Sequence, residues 1–87
     1  MSACRRLRLA GPPEHLAVLR EQLEAKAEYV RELRLSVELE SAASALTVLT
    51  GIDGGVKLRE AKLVPLEDIF SVIEAMPMRR WEKRSKN

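Results

Sequence analysis

The feature that most constrains the fold is a ten-residue segment, 31–40, in which apolar and polar side chains alternate. Its apolar positions are Leu33, Leu35, Val37 and Leu39, and the positions between them hold Glu, Arg or Ser. Side chains of a β-strand point alternately to opposite faces, so the pattern predicts a strand that is half-buried over nearly its whole length. Such a strand needs an apolar layer on one side and water or a partner on the other.

A shorter alternation near the start of the chain predicts another strand, over 5–10. Its apolar positions are Leu7 and Leu9, and arginines occupy the opposite face. The Gly-Pro-Pro sequence of 11–13 then ends the strand, because proline cannot donate to a strand ladder but is favoured in the first turn of a helix.

The apolar period changes to three and four residues between Pro13 and about Val30. This spacing predicts one amphipathic helix over that range, with charged side chains on its other faces. The apolar stripe of the predicted helix consists of Leu16, Leu19, Leu23, Ala27 and Val30.

The segment 45–50 is rich in Thr, Val and Leu, which favours a strand, and it is apolar on both faces. A strand of this kind needs cover on both sides. A helix over 41–50 is the alternative. The glycine-rich segment 51–55 predicts a tight turn, so 45–50 and 56–63 would form a hairpin. The second strand loses its alternation near its end, which predicts a bulge or an early end.

A second helix is predicted to begin at Pro65, with two acidic residues in its first turn, and to end before Pro77. Its apolar stripe consists of Leu66, Ile69, Phe70, Ile73 and Met76. A last short strand is predicted over 78–83.

The predicted order is β-α-β-β-β-α-β, which gives an α+β fold. It is a ferredoxin-like order with one extra hairpin strand, a two-layer sandwich in which two helices cover one face of an antiparallel sheet. We expect a single domain over 1–83 and a basic C-terminal tail over 84–87. The uncovered face of the sheet would show Arg6, Arg8, Arg34, Ser36 and Glu38.

The chain has 87 residues, of which 3% are aromatic, so its small core must consist mostly of aliphatic side chains. A core this small often leaves a domain marginally stable, and oligomerisation is one usual remedy. The single cysteine, Cys4, excludes an internal disulfide framework and fits a reducing compartment. No apolar run has the length of a signal peptide or a membrane span. We therefore expect a cytoplasmic protein without a membrane partner.

Three features invite a catalytic or ligand-binding interpretation, and each has a simpler structural one. His15 is the only histidine, which leaves a zinc site short of ligands. The glycines of 51–55 lead into a predicted strand, which favours a hairpin turn over a phosphate-binding loop. The two prolines of 11–15 remove amides that could hold an anion. The sequence therefore predicts no catalytic residue, metal ion or cofactor, favours a non-enzymatic protein, and leaves any small-molecule ligand undefined.

Charge is distributed unevenly, although the net charge is only +2. Residues 1–11 carry +3 and residues 78–87 carry +4, whereas residues 12–77 carry −5. The basic ends could neutralise nucleic-acid phosphates in a salt-dependent way. The candidate contacts are Arg6, Arg8, Arg79, Arg80, Lys83 and Arg84, and Arg5 is included with them. Trp81 is the only aromatic residue expected on the uncovered sheet face, so such binding would have little sequence selectivity.

The same charge layout favours self-association, because an acidic body and basic ends attract each other between copies. The strand that is apolar on both faces supplies a hydrophobic reason for a second subunit. The predicted interface residues are Leu46, Val48 and Leu49. The first functional hypothesis is thus a small binding or adaptor domain that acts as a homo-oligomer. The second is a nucleic-acid accessory protein, and the third is an enzyme or sensor whose site forms between subunits.

Overall fold

The computed structural model describes residues 4–76, which form a four-stranded mixed sheet and three helices. The strands are β1 (Arg5–Gly11), β2 (Leu35–Ser41), β3 (Leu46–Thr50) and β4 (Val56–Glu60). The helices are α1 (Pro13–Ala25), α2 (Ala27–Glu32) and α3 (Leu66–Glu74). The predicted α+β class is confirmed. The strand predicted over 78–83 and the tail over 84–87 lie outside the described residues.

The strand order is β2-β1-β3-β4. β1 and β2 are parallel, whereas β1 with β3 and β3 with β4 are antiparallel. The prediction of a wholly antiparallel sheet is therefore wrong. The helices α1 and α2 form a crossover that returns the chain to the starting end of β1, so β2 runs beside β1 in the same direction. Residues 4–76 do not confirm the ferredoxin-like order.

The hairpin prediction is confirmed, and the helical alternative for 41–50 is wrong, because β3 pairs with strands on both sides. The register shifts near Thr50, where β4 has an irregularity. β4 ends at Glu60, in agreement with the loss of alternation there. α3 begins directly after Pro65, as predicted, and buries Ile69, Phe70 and Ile73.

The first predicted helix is two helices, because the backbone leaves helical geometry at Lys26, whose φ is −115° and ψ is 27°. Tyr29, which follows this break, contacts α3. Its ring lies edge-on to Phe70, with centroids 5.0 Å apart, and its hydroxyl donates to Glu74 Oε2 at 3.1 Å. Ala27, which was assigned to the apolar stripe, is exposed.

The strand predicted over 31–40 begins later than expected. Residues 31–32 belong to α2, and Arg34 has a positive φ of 53°, which ends the helical path before β2 begins. The Arg34 carbonyl accepts a hydrogen bond from the Arg5 amide at 2.7 Å, so the starts of β1 and β2 are held together. Leu33 is fully buried, as predicted, but it lies at the end of α2.

One face of the sheet enters the apolar core. Leu7, Leu9, Leu35 and Leu49 are at most 8% exposed. They belong to one cluster with buried residues from the helices and the segments that flank them, namely Leu16, Leu19, Leu33, Val64, Leu66, Ile69, Phe70 and Ile73. None of the helices between residues 4 and 76 has the length and apolarity needed to cross a bilayer.

Candidate functional site

The second face of the sheet carries side chains that are exposed or half-buried, apart from Ala10, which is buried, and we call it the open face. Strand alternation and the pairing registers place its members on one side of the sheet. They are Arg6, Arg8, Ala10, Ser36, Glu38, Glu40, Leu46, Val48, Thr50, Val56 and Arg59. The open face mixes both signs of charge with apolar side chains.

A single row of four residues crosses the middle of the open face. Glu38 on β2 pairs with Arg8 on β1, Arg8 pairs with Val48 on β3, and Val48 pairs with Arg59 on β4. The row therefore begins with an acid at one edge of the sheet and ends with a base at the other. Its two central positions combine an arginine stem with a half-buried valine.

Arg8 is engaged within its own chain. Its Nε and Nη2 atoms donate to Glu40 Oε2 at 3.1 and 2.5 Å. This hydrogen bond, together with the charge of Glu40, raises the pKa of Arg8 above its ordinary value. Both side chains are more than half exposed, so the pair adds little to stability, but it reduces the positive charge that Arg8 can offer to a phosphate.

A shallow depression of about 260 Å³ lies on the open face. Arg6, Ser36 and Thr50 line it together with residues of the central row. It is too small for the pockets that usually hold cofactors or drug-sized ligands.

The predicted interface residues do not share one face. Leu46 and Val48 are half-buried and belong to the open face, whereas Leu49 is fully buried in the core cluster. Sequence analysis grouped the three because both faces of β3 are apolar. A contact through the open face would use Leu46 and Val48 but not Leu49.

The basic residues of the first strand divide in the same way. Arg6 and Arg8 are exposed on the open face. Arg5 is fully buried, and its Nη1 atom donates to the Leu33 carbonyl at 2.6 Å. Its inclusion among the phosphate contacts is therefore wrong, because it lies in phase with Leu7 on the core face. The other proposed contacts, Arg79, Arg80, Lys83 and Arg84, lie outside the described residues.

Thr47 is a structural residue that sequence analysis missed. It is fully buried, donates through Oγ1 to the Lys62 carbonyl at 2.7 Å, and accepts from the Val64 amide at 3.0 Å. These bonds fix the segment between β4 and α3. A threonine on the core side of a strand was the available signal, since a buried hydroxyl needs a partner.

A groove of about 540 Å³ lies between α1 and the segment that Thr47 fixes. Its lining includes Val18, which is 53% exposed, with Leu63 and Pro65. The polar residues that line it are His15, Gln22, Lys26 and Glu67. Because they include bases, an acid and a neutral amide, the groove shows no preferred ligand charge. His15 is exposed at the start of α1.

The glycine-rich segment is a hairpin turn, as predicted, and Gly54 has a positive φ of 87°. Asp53 Oδ1 accepts from the Gly55 amide at 2.9 Å, and Asp53 Oδ2 accepts from Lys57 Nζ at 3.1 Å. The hydrogen bond from Gly55, followed by that from Lys57, lowers the pKa of Asp53 below its ordinary value of 3.8. The residues of this turn thus stabilise one another and lead into a strand.

Groups of three His, Cys, Asp or Glu side chains that could hold a metal ion do not occur between residues 4 and 76. Cys4 is half-buried.

These observations define a small α+β domain, with a four-stranded mixed sheet and three helices between residues 4 and 76. The chain belongs to the family described as Domain of unknown function (DUF4174), whose model matches residues 6–82. Comparisons with curated proteins and with solved structures found no match. The family's description assigns no activity, and the function must be argued from the geometry of the domain.

Proposed function

We propose that this domain is a small non-enzymatic binding or adaptor domain that associates with a second copy of itself through the open face. The observation that carries the proposal is the position of Leu46 and Val48. Both are half-buried apolar side chains on the open face of β3, an interior strand of the sheet, and neither belongs to the core cluster of the described residues. Covering them removes apolar surface from water, which favours association.

The layering expected from the sequence supports the same proposal. The buried residues of α1 and α3 form one cluster with the core face of the sheet, which is consistent with a two-layer arrangement in which the helices cover one face only. In that arrangement the open face is the broad surface left for a partner. Contact through a sheet edge, β2 or β4, would leave Leu46 and Val48 uncovered, since β3 lies inside the sheet.

The size of the open face sets the expected strength of association. Four strands spaced by about 4.8 Å, with about five residues each at about 3.3 Å, span a planar area of roughly 300 Å². Stable interfaces bury about 800 Å² of accessible surface per partner. We therefore expect a weak dimer that forms in a concentration-dependent way.

The test compares Val48→Glu with Val18→Glu by sedimentation equilibrium from about 10 µM to about 1 mM, the range in which weak dimers dissociate. Val18 is a matched control, because it is also an apolar residue at the surface but lies on α1. We expect the wild type and Val18→Glu to form dimers and Val48→Glu to remain a folded monomer by circular dichroism. A wild type that is monomeric throughout, or a Val48→Glu variant that associates equally well, would contradict the proposal.

Contact with a nucleic-acid backbone is a second proposal, supported by the exposure of Arg6 and by the basic composition of residues 78–87. The burial of Arg5 and the Arg8–Glu40 pair reduce its support from the described residues. If it is right, Arg79→Glu combined with Arg80→Glu abolishes binding to a generic duplex, and wild-type affinity falls steeply with salt. Binding that is unaffected by the double substitution and by salt would contradict this proposal.

A further inference from the structure

We propose that two copies pack open face to open face about a two-fold axis parallel to the strands, so that Glu38 of each copy contacts Arg59 of the other. This inference rests on the proposed function and specifies its geometry. The pairing register determines which residues lie side by side across the four strands.

The central row runs Glu38, Arg8, Val48 and Arg59 across β2, β1, β3 and β4. Consider a two-fold axis that lies in the interface, parallel to the strands and between β1 and β3. Rotation about this axis reverses the order of the strands but does not move any row of residues along the strand direction. β2 of one copy then lies over β4 of the other. The acid at one end of the row meets the base at the other end, and this occurs twice because a two-fold interface is isologous.

The other two-fold arrangement is electrostatically unfavourable. An axis that lies in the interface but crosses the strands places β2 over β2 and β4 over β4. The acidic residues Glu38 and Glu40 would then face the same acids in the second copy, and Arg59 would face Arg59. Like charges brought together at an interface disfavour that arrangement, so the charge layout selects the axis parallel to the strands.

The centre of the row is compatible with the same axis. Arg8 of one copy lies over Val48 of the other, so the aliphatic stem of the arginine can cover the valine. The guanidinium of Arg8 keeps its partner Glu40, which lies toward the β2 edge of the sheet, where water has access. No charged group in the central row is then left without an opposite charge.

The experiment exchanges the two charges and measures dimer dissociation by sedimentation equilibrium at low salt. The variants are Glu38→Arg, Arg59→Glu and the two combined in one chain. The matched control combines Glu21→Arg with Arg20→Glu, which makes the same exchange on exposed positions of α1. Because Glu38→Arg places an arginine beside Arg8, Glu38→Gln serves as a milder variant, and thermal unfolding verifies that each chain is folded.

We expect each single exchange to weaken the dimer at least about tenfold, because it opposes like charges twice. The combined exchange restores affinity to within about threefold of the wild type, and the control changes nothing. Single exchanges without effect, or a combined exchange that fails to restore the dimer, would overturn this arrangement. If Val48→Glu still gives a monomer in that case, association through the open face stands in another orientation. A wild type that never dimerises would contradict both the proposed association through the open face and the proposed orientation.

Discussion

The two faces of the same sheet differ in how deeply their side chains are buried. On the core face, Leu7, Leu9 and Leu49 are at most 1% exposed and belong to the cluster that includes the helices. On the open face, Val48 is half-buried and Arg8 is more than half exposed, although each lies next in the chain to one of those leucines. A difference of one residue along a strand thus decides whether a side chain serves stability or is available for contact.

Arg5 is the exception on the core face. It is a charged residue at a position in phase with leucines, and it is fully buried. Its guanidinium donates to the carbonyl of Leu33, at the end of α2 and close to the start of β2. This hydrogen bond connects β1 to the end of α2, whereas Arg6 and Arg8 are exposed on the open face.

The largest expected effect separates two neighbours on β3. Leu49→Ala removes core side-chain volume and should destabilise the domain by about 2–5 kcal/mol. Val48→Ala, on the open face, should cost less than about 1 kcal/mol in the monomer, since its side chain is only half-buried. Urea denaturation of both variants, at a concentration where the protein is monomeric, measures the difference. Equal losses would show that the two faces are equally important for stability.

The second comparison uses adjacent arginines. Arg5→Ala leaves the Leu33 carbonyl without this charged donor and removes buried packing, so we expect a loss of about 2–3 kcal/mol. Arg6→Ala changes an exposed side chain and should alter stability by no more than about 0.5 kcal/mol. Thermal unfolding at neutral pH tests both, with Arg5→Lys as a variant that keeps the charge but not the shape of the donor. A harmless Arg5→Ala would contradict the structural role assigned to this residue.

The smallest expected effect lies in the hairpin turn, away from both faces. Because the folded-state pKa of Asp53 is lowered, its ionised carboxylate stabilises the fold above about pH 4, and this contribution is lost as the pH falls through the folded pKa. Asp53→Asn should therefore melt slightly below the wild type at pH 7, and this difference should shrink as the pH falls below about 4. A difference in melting temperature that persists unchanged in acid would mean that the charge is not its cause.

The sequence predicted the elements that depend on local period. Alternation located β1 and most of β2, the glycine-rich turn located the hairpin, and the stripe around Ile69 located α3. The break at Lys26 and the positive φ of Arg34 were missed, because no glycine or proline marks either position in the sequence.

The relative direction of the strands also could not be predicted from the spacing of apolar residues in the sequence. Alternation shows which side chains share a face, but it does not show which strands are neighbours, and so the parallel pairing of β1 and β2 was not predicted. The same limit applies to the candidate site. The alternation of β3 places Leu46 and Val48 on one face and Leu49 on the other, but only the structure shows that the face with Leu49 is the buried one.

The most direct test of the central claim is a dilution series followed by methyl NMR of the wild-type protein. We predict that the methyl signals of Leu46 and Val48 shift with concentration, whereas those of Leu49 and of Val18 on α1 do not. Shifts confined to Val18, or no concentration dependence for any of these signals up to about 1 mM, would contradict association through the open face.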